Sequence, residues 1–493
     1  MISVLSSGTA AVPAETPAER SWLRRLFPVA LALVFGAFAA FDLRTLNDGD
    51  TFSHVRTGLW ILEHHAVPHT DIFSNSLQGT PWTAHEWLSE VLLATAHIAG
   101  SWAGVLALTG LAGGAAAYLL GRFVARYLDG LALVATSVLG VAAFQSGMLA
   151  RPHVLALPVL IAWAGHLLSV RQQHRPPDLP IVAGLMLLWA NLHGGWAFGL
   201  ALLGLLTAER ICLAPGSPGR RVAASSGWIA AIAVAVVAAA VTPNGLDGLI
   251  FPIKLALLPN LSQIAEWQSA DFNHLGPTEL IILALLYLGL SGHGRFDLMM
   301  TALLLLLLHM ALQHRRHEML LGAVGAMLTA MALSESTTDG LAHMLPPHPE
   351  RNLLPGLVGI VAAALLVAAR LASPVALFDS RVAAPTALGH TPKALQVQRV
   401  FNSYEFGGFL IFEGVPPFID GRADMFGQKF MNDYIATLGF SADRFRAFAD
   451  QNHIGWTLLR PSEPLVRTLD QDPGWRRVHA DPFAVVHQRV LTR

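Results

Sequence analysis

Two carboxylates close to the first apolar segment of the chain have a spacing that suits chemistry. Asp48 and Asp50 flank one glycine in the stretch NDGDTFSHVRTG, and His54 follows Asp50 by four residues. Side chains four residues apart share one helix face, so Asp50 and His54 would point the same way. Such a carboxylate could act as a general base, or could hold a divalent cation such as Mg²⁺ or Mn²⁺. The simpler interpretation is an Asx-turn in which Asp50 is the N-cap of a helix that begins at Thr51.

A third carboxylate, Glu86, is a further candidate for catalysis. It lies in the stretch PWTAHEW, next to a histidine and a tryptophan. A glutamate in the first turn of a helix also interacts favourably with the helix dipole, so Glu86 has a purely structural alternative. Both roles stay open at the level of sequence.

Candidate groups for binding an anion stand in three later polar stretches. They are Arg151 and His153 in LARPH, His193 in WANLHGGW, and Arg315 and Arg316 in HRRHE. The planar guanidinium of arginine can hold a phosphate through two hydrogen bonds. The alternatives are an arginine that snorkels to lipid phosphates and a histidine that is a satisfied polar group at a helix break.

The composition indicates what class of protein contains these residues. Of 493 residues, 53% are hydrophobic and only 13% are charged, whereas a soluble domain carries about 25% charged residues. The 32 basic and 33 acidic residues nearly balance, which argues against a nucleic-acid partner. A single cysteine, Cys212, excludes intrachain disulfides and any cysteine-rich metal site. The chain is therefore predicted to be an integral membrane protein.

Apolar runs recur along the chain at about the 20-residue length that crosses a bilayer as a helix. We count about eleven such runs, and we interpret the first as a retained helix rather than a cleaved signal peptide. The predicted spans are 27–43, 102–120, 130–148, 153–170, 179–192, 195–212, 224–242, 277–291, 297–312, 318–334 and 354–373.

Basic residues give the predicted orientation in the membrane. Arg20, Arg24 and Arg25 precede the first span, and short cytoplasmic loops collect Lys and Arg. The N-terminus is therefore predicted inside and the C-terminal part outside. On this topology, the polar stretches that hold the candidate residues all fall on the outer side. Ionisable groups at membrane depth are costly, so their convergence indicates a functional cavity.

The chain divides into four predicted parts: a cytoplasmic segment at 1–26, a transmembrane domain at 27–373, a linker at 374–392 and an α/β domain at 393–493. Prolines and a change of composition mark the linker. The last part is expected to lie outside the membrane on the outer side.

Patterns within the loops predict further elements. The first outer loop, 44–101, has apolar residues at helical spacing, which predicts interfacial helices at 51–65 and 86–99. In the C-terminal part the patterns predict strands at 398–413, 415–420, 454–460 and 483–489, and helices at 429–438 and 441–452.

An acidic motif after the first transmembrane helix, in a large outer loop with interfacial helices, resembles the GT-C class of membrane glycosyltransferases. More narrowly, the chain resembles a group of bacterial multi-span proteins described as glycosyltransferase-like. The motifs that carry the likeness are DGDTFSHVRTGLWILEHHAVPHTDIFS, PWTAHEWLSE, LARPH, WANLHGGWAFGL, TPNG, EWQSADF, HRRHE and FNSYEFGGFLIFEGVPPFIDGRADMFG. The expected fold is a mainly α, GT-C-like polytopic membrane protein with a small C-terminal α/β domain.

The resemblance implies an activity and a set of roles. A sugar would pass from a polyprenyl-phosphate or pyrophosphate carrier to a hydroxyl of a glycan, lipid or protein acceptor. Transfer would take place on the outer face of the bacterial inner membrane, with inversion expected. Asp48 and Asp50 match the acidic pair of the class, although the DGD spacing leaves open which one is the base. Arg151, Arg315 and Arg316 could meet the lipid phosphate.

Two other functions stay open. A transporter or flippase of a lipid-linked envelope intermediate would also place charges at helix breaks, but it calls for polar groups on both faces and often for inverted repeats. A non-catalytic scaffold would keep the fold without the chemistry. The DGR turn at 420–422 and Asp424 could close a cavity, or could simply form a β-turn salt bridge.

Overall fold

The computed structural model describes residues 17–256, 267–336 and 354–490, and helices dominate it. In chain order, the helices that precede the C-terminal part are α1 Pro17–Phe41, α2 Gly49–His64, α3 Trp87–Val124, α4 Gly130–Ala142, α5 Pro152–Gln172, α6 Leu179–Leu192, α7 Trp196–Leu213, α8 Pro218–Ala224, α9 Ser226–Ala240, α10 Gly245–Ala256, α11 Pro277–Ser291, α12 Leu298–Gln313, α13 Glu318–Leu320, α14 Ala326–Ser336 and α15 Leu354–Leu371. A π-helical turn, Leu321–Gly325, joins α13 to α14.

Seven of the helical segments in the described ranges are long and apolar enough to cross a membrane. The helices α8 and α9 together make one further candidate, bent by 62°, and α6, α11 and α12 are shorter apolar helices. The chain is thus a multi-pass membrane protein. Each predicted span overlaps one of these helices, while the number eleven itself stays a prediction.

Small residues allow α1 and α3 to pack backbone against backbone. A side chain added at Gly36 of α1 would place its Cβ 2.9 Å from the carbonyl oxygen of Gly110 in α3. A Cβ added at Gly114 of α3 would likewise lie 3.0 Å from the carbonyl oxygen of Ala32 in α1. Close approach through small residues is how helices associate in a bilayer, where lipid is as apolar as the helix surface. This contact fixes where the chain leaves α1 and enters the first outer loop.

The helix α3 contains a break that divides it into two arms. Gly100 and Ser101 have non-helical backbone angles, with Ser101 at φ 51°. A Cβ at Gly104 would lie 2.0 Å from the carbonyl oxygen of Ala96, so the two arms fold closely against each other. The arm before the break is the second predicted interfacial helix, and the arm after it contains the predicted span 102–120. The first predicted interfacial helix corresponds to α2.

The C-terminal part forms a small mixed sheet covered by helices. Its strands are β1 Arg399–Asn402, β2 Ile454–Leu459, β3 Trp475–Ala480 and β4 Val485–Arg489. The strand order is β1-β2-β4-β3, with β1 parallel to β2 and the other pairs antiparallel. The helices are α16 Pro385–His390, α17 Lys393–Gln396, α18 Gly407–Phe412, α19 Ala423–Thr437, α20 Ala442–Asn452 and α21 Pro464–Gln471.

Two of the predicted strands are wrong in this region. The run 398–413 is a strand only at its start, and α18 occupies its second half. The run 415–420 contains no strand. The residues of α18 are aromatic and apolar, which favours strands in general, but burial on both sides overrides that preference. The strand β3 was not predicted, because its charged and half-exposed sequence WRRVHA lies at the edge of the sheet.

The loop 44–101, predicted to be the first outer loop, is hydrogen-bonded to the C-terminal part. The backbone N–H of Asn75 donates to the carbonyl of Pro417 at 2.8 Å, and its side chain donates to Pro416 at 2.8 Å. The hydroxyl of Ser76 donates to the carbonyl of Phe418 at 2.6 Å. On the other side, Phe52 of α2 packs edge-on against Phe409 of α18. The loop is therefore held between the helix bundle and the small sheet.

The contact between α1 and α3 gives a first prediction. Gly36→Val forces two backbones apart, because its side chain would meet the carbonyl oxygen of Gly110. We expect a loss of stability of about 1–3 kcal/mol, the usual cost of overpacking, seen as a lower thermal midpoint in detergent. Gly289→Val is the matched control, since Gly289 of α11 has no atom within 4 Å of its added Cβ. Equal midpoints for the two variants would contradict the packing described above.

Candidate active site

Asp48 and Asp50 have different structural roles at the start of α2. Asp48 is the N-cap, and its carboxylate accepts a hydrogen bond from the backbone N–H of Asp50 at 2.9 Å. The prediction that Asp50 caps a helix beginning at Thr51 is therefore wrong, because the helix begins at Gly49. A short aspartate side chain reaches the N–H two residues ahead, so Asp48 performs the capping. The carboxylate of Asp50 is left out of the cap.

Arg151 bridges the two acids. One guanidinium nitrogen, Nη1, lies 3.4 Å from Asp48 Oδ2, and the other, Nη2, lies 3.0 Å from Asp50 Oδ2. Arg151 is the N-cap residue of α5, and the N–H of Ala150 before it donates to the carbonyl of Thr45 at 2.9 Å. The backbone thus ties the start of α5 to the segment before α2. The three side chains are 17–25% exposed, so the group is partly buried.

A glycine of the C-terminal part lies directly on Asp50. A Cβ added at Gly421 would be 1.6 Å from Asp50 Oδ1, so a side chain there would displace the carboxylate of Asp50. Gly408 of α18 makes a similar approach, with an added Cβ 1.9 Å from the carbonyl oxygen of Gly49. The first turn of α2 is therefore enclosed by two glycines that lie far away in the chain.

Arg422 holds the turn 420–422 in place. Its guanidinium donates to Asp420 at 2.7 and 2.8 Å and lies 2.8 Å from Asp71 of the first outer loop. The same group stacks over Trp82 at 4.7 Å. Burial alone would raise the pKa of Asp71, but the charge of Arg422 and the hydrogen bond from Ser74 lower it below its ordinary value. The β-turn salt bridge considered from the sequence is present, and it extends to the first outer loop.

Glu86 lies at the centre of a group of histidines. Its oxygens are 3.7 Å from His54 Nε2, 3.6 Å from His85 Nε2 and 3.4 Å from His193 Nε2. His54 also contacts Glu90, through its Nδ1 at 3.2 Å. Burial alone would raise the pKa of Glu86, but the nearby positive charges lower it to about 2. Glu86 is therefore ionised at neutral pH.

The pKa values of His54 and His193, which both contact Glu86, are shifted in opposite directions. Burial lowers the pKa of His193 to about 3, so its imidazole is neutral at pH 7. Burial also acts to lower the pKa of His54, but the hydrogen bond with Glu90 and the charges of Glu86 and Asp50 raise it above the ordinary value. Two imidazoles whose pKa values are shifted in opposite directions thus both contact Glu86.

The remaining sequence-predicted residues lie around this group. The ring of His153 is 6.1 Å from that of His193, and its Nε2 lies 2.7 Å from the carbonyl oxygen of Gly147. Arg316 stacks over Trp267 at 4.4 Å, and its charge acts on His193. Arg315 is exposed. The polar stretch 265–274 begins at two residues that lie outside the described ranges.

Several residues of this region were not predicted as site residues. They are His85, Glu90, Asp71 and Gly421. The signal for Glu90 is its position four residues after Glu86, which places both acids on one helix face. The spacing of Gly421 and Asp50 in the sequence does not predict that they are in contact.

Asp424 lies near the same group. Burial raises the pKa of Asp424, whose carboxyl is within electrostatic reach of His85 and Glu86.

Among the described residues, no group of three or more His, Cys, Asp or Glu side chains has the geometry to hold a metal ion. The guanidinium of Arg151 already lies between Asp48 and Asp50, where a cation shared by the two acids would lie. A requirement for Mg²⁺ or Mn²⁺ therefore stays a prediction from the sequence.

Comparisons with known proteins give similarity in structure alone, since no family model and no curated protein matches the chain. The oligosaccharyltransferase of Archaeoglobus fulgidus in the apo form matches with a TM-score of 0.55 at 14% identity, over 90% of this chain and 70% of that one. Its complex with Zn and sulfate matches with a TM-score of 0.52 at 13% identity, over 88% and 68%. ArnT from Cupriavidus metallidurans bound to undecaprenyl phosphate matches with a TM-score of 0.50 at 13% identity, over 95% and 98%.

The chain has the GT-C fold. The resemblance inferred from the sequence motifs is thereby confirmed for the fold. The low identity means that the likeness defines the architecture and leaves the site to be argued from its own residues. In this fold, the acid pair and the histidine group both lie where the loop 44–101 meets the C-terminal part.

The ion pair between Asp71 and Arg422 gives a prediction about pH. Because the folded state lowers the pKa of Asp71 below 3.8, the pair stabilises the fold above that pH and loses this effect as the pH falls further. Asp71→Asn should lower the free energy of unfolding by about 2 kcal/mol at neutral pH. Its thermal midpoint should approach that of the wild type in acid.

The control for this experiment is Asp443→Asn, which breaks an exposed ion pair with Arg446. Such surface pairs contribute about 0–1 kcal/mol, so the thermal midpoint should barely move at any pH. A constant difference between wild type and Asp71→Asn across the pH range would contradict the lowered pKa of Asp71.

Proposed function

We propose that this GT-C protein is a membrane glycosyltransferase. It moves a sugar from a polyprenyl-phosphate or pyrophosphate carrier to a hydroxyl acceptor on the outer face of the bacterial cytoplasmic membrane. The observation that carries the proposal is the meeting of Asp50, Arg151 and Gly421 at one partly exposed point within a GT-C fold. One of the structural neighbours, ArnT, is described as bound to undecaprenyl phosphate, which supports a lipid-linked donor.

The residues divide the chemistry as follows. The acceptor oxygen attacks the anomeric carbon of the sugar, and the bond from that carbon to the phosphate oxygen breaks. The phosphate departs with the bonding electron pair, and the acceptor proton passes to a carboxylate. A base on one side and positive charge on the leaving side are what this step requires. A single displacement of this kind inverts the anomeric centre.

Asp50 is the base in this proposal. Asp48 uses one oxygen as the N-cap of α2, so it is committed to holding the helix start. Asp50 lies outside that cap, and the backbone at Gly421 restricts where its carboxylate can lie. Arg151 contacts both acids. No step of the proposal passes through a metal ion, because Arg151 lies where a cation between the two acids would lie.

Two arginines form the cationic side of the site. Arg151 faces the acids, and Arg316 lies further along, near His193. A phosphate that leaves the sugar would be met by these groups and by the histidines around Glu86. Glu86 balances that positive charge, which gives it a role in electrostatics and makes Asp50 the stronger candidate for the base.

Replacing the proposed base gives the main test of the function. Asp50→Asn should lower the rate of sugar transfer about 10²–10⁴-fold, the usual contribution of a general base, with expression and thermal midpoint unchanged. The assay follows a labelled sugar from the polyprenyl-phosphate donor to an acceptor in membranes that contain the protein.

Asp42→Asn is the control, because Asp42 lies eight residues before Asp50 and pairs with the exposed Arg44 rather than with the site. It should leave transfer unchanged. Full activity of both Asp50→Asn and Asp48→Asn would refute the assignment of the base. Movement of intact lipid-linked sugar across the bilayer, without transfer, would favour a flippase.

The enclosure of Asp50 gives a separate prediction. Gly421→Ala puts a methyl group where the carboxylate of Asp50 lies, so the acid must move. We expect transfer to fall at least about tenfold, because a displacement of one ångström at a reacting group has effects of that order or more. Gly439→Ala is the control, since its nearest neighbour is an oxygen 3.7 Å from the added Cβ. Wild-type activity in Gly421→Ala would show that the position of Asp50 is not fixed by this turn.

A further inference from the structure

The proposed transfer leaves a proton on Asp50, and the surroundings of this carboxylate restrict where the proton can go. The backbone at Gly421 lies against one oxygen of Asp50, and the guanidinium of Arg151 lies against the other. The side chain of Asp50 is 25% exposed, and a donor and an acceptor that react at this carboxylate would cover part of that surface. While they are bound, a proton acceptor within the protein is therefore better placed than bulk water.

His54 is the imidazole that lies nearest to Asp50 along α2. It follows Asp50 by four residues, and side chains at this spacing share a helix face with about 5–6 Å between their Cβ atoms. Burial acts to lower the pKa of His54, but the hydrogen bond with Glu90 and the charges of Glu86, Glu90 and Asp50 raise it above its ordinary value. The side chain of His54 is 12% exposed. It is thus a largely buried base within electrostatic reach of Asp50.

Glu90 of α3 fixes the orientation of this imidazole. Its Oε1 lies 3.2 Å from Nδ1 of His54, and because an ionised carboxylate can only accept a hydrogen bond, the proton of this contact is on Nδ1. The other ring nitrogen, Nε2, lies 3.7 Å from Glu86 Oε2, which is longer than a hydrogen bond. Nε2 therefore keeps a lone pair that can accept a proton.

Backbone packing between α2 and α3 keeps His54 and Glu90 together. A Cβ added at Gly58, one turn after His54, would lie 1.9 Å from the carbonyl oxygen of Glu90 and 2.8 Å from the Cβ of Ala94. The two helices therefore touch at the level of Glu90, whose side chain is only 4% exposed. The position of the pair is set by the fold and not by long, flexible side chains.

Glu90 has a feature that suits a group which receives a proton. Its Oε2 is buried and has no hydrogen-bond partner in the part of the chain that the structure describes. Most buried polar atoms are paired, so this oxygen is unusual. Burying it without a partner is costly while Glu90 is ionised and much less so once Glu90 is neutral. A proton that arrives through His54 would relieve this cost.

We propose that His54 and Glu90 form a proton relay that takes the acceptor proton from Asp50 while the substrates still occupy the site. This inference rests on the proposed function, which supplies the proton. The carboxyl O–H of Asp50 gives its proton to Nε2 of His54, and the proton on Nδ1 passes to Oε1 of Glu90. Asp50 returns to a carboxylate, His54 becomes its other tautomer and Glu90 becomes neutral. After the products leave, the proton returns along the same path and passes to water.

The first experiment measures sugar transfer by His54→Ala with and without free imidazole. The rate should fall at least about tenfold, since a group that transfers a proton in contact with the substrate contributes about 10²–10⁴-fold and His54 acts one step away. Free imidazole should restore much of the rate, because it fits the space left by the side chain and carries a proton. His64→Ala is the matched control, because His64 is the exposed last residue of the same helix. It should transfer at the wild-type rate in both conditions.

A second variant separates carrying a proton from holding the two helices together. His54→Asn keeps an N–H that can donate to Glu90, but an amide does not accept and release a proton as imidazole does. We expect the thermal midpoint of His54→Asn to stay near that of the wild type, with transfer reduced as in His54→Ala. This variant also serves if His54→Ala does not fold.

A third measurement does not depend on sugar transfer. The pKa of His54 is followed by NMR of protein labelled with ¹⁵N-histidine, and its signal is assigned as the one lost in His54→Asn. Glu90→Gln should lower this pKa, because the hydrogen bond with Glu90 and its charge are among the causes that raise it. Glu63→Gln, at an exposed position of α2, is the control and should leave the pKa of His54 unchanged.

Wild-type transfer by His54→Asn would overturn the relay, because His54 would then serve only to hold α2 against α3. A loss in His54→Ala that imidazole does not restore would overturn it too, and so would an unchanged pKa of His54 in Glu90→Gln. A wild-type protein that transfers no sugar contradicts the glycosyltransferase itself. An active wild type with any of the three adverse results contradicts the relay alone, so the two proposals fail separately.

Discussion

The contact between the turn at 420–422 and the first turn of α2 is the constraint on which the candidate site depends. Gly421 lies against the carboxylate of Asp50, and Gly408 lies against the carbonyl of Gly49. These approaches are possible only because neither position carries a side chain. Arg422 then holds the turn to Asp71 of the first outer loop. The C-terminal part is thus one wall of the site, and residues near the two ends of the chain are needed to build it.

The electrostatics of the site follow from this enclosure. Asp48 and Asp50 share Arg151, and Glu86 is surrounded by His54, His85 and His193. Each buried acid has a positively charged or hydrogen-bonding partner, as the cost of burying a charge requires. Partial exposure on one side leaves room for a substrate that brings its own negative phosphate. A lipid-linked donor whose apolar chain remains in the membrane satisfies both conditions.

The sequence was informative where local pattern determines structure. Apolar runs predicted the helices of the bundle, and the acidic, histidine and arginine motifs predicted the GT-C fold that the comparisons confirm. The start of α2 was misplaced, because DGD offers two acids as caps and only geometry shows that Asp48 is the one used. The pattern predicts a strand where α18 forms, because the apolar and aromatic residues favour strands locally while tertiary burial decides the conformation.

The least predictable features are contacts between residues far apart in the chain. Nothing in the spacing of Gly421 and Asp50 indicates that they touch, and Arg422 gives no sign of its partner Asp71. The sequence predicts that the DGR turn at 420–422 and Asp424 could close a cavity, but the contact of this turn with the acid pair becomes visible only in the fold. Glycines at such contacts carry no chemical signal, since their function is to leave space.

The most direct test of the account is a cryo-EM structure of the Asp50→Asn protein with a polyprenyl-phosphate sugar bound. The sugar should lie between residue 50 and Arg151, with the phosphate towards Arg316 and the histidine group. A donor bound at the opposite end of the helix bundle, or with its sugar remote from residue 50 and Gly421, would contradict the account.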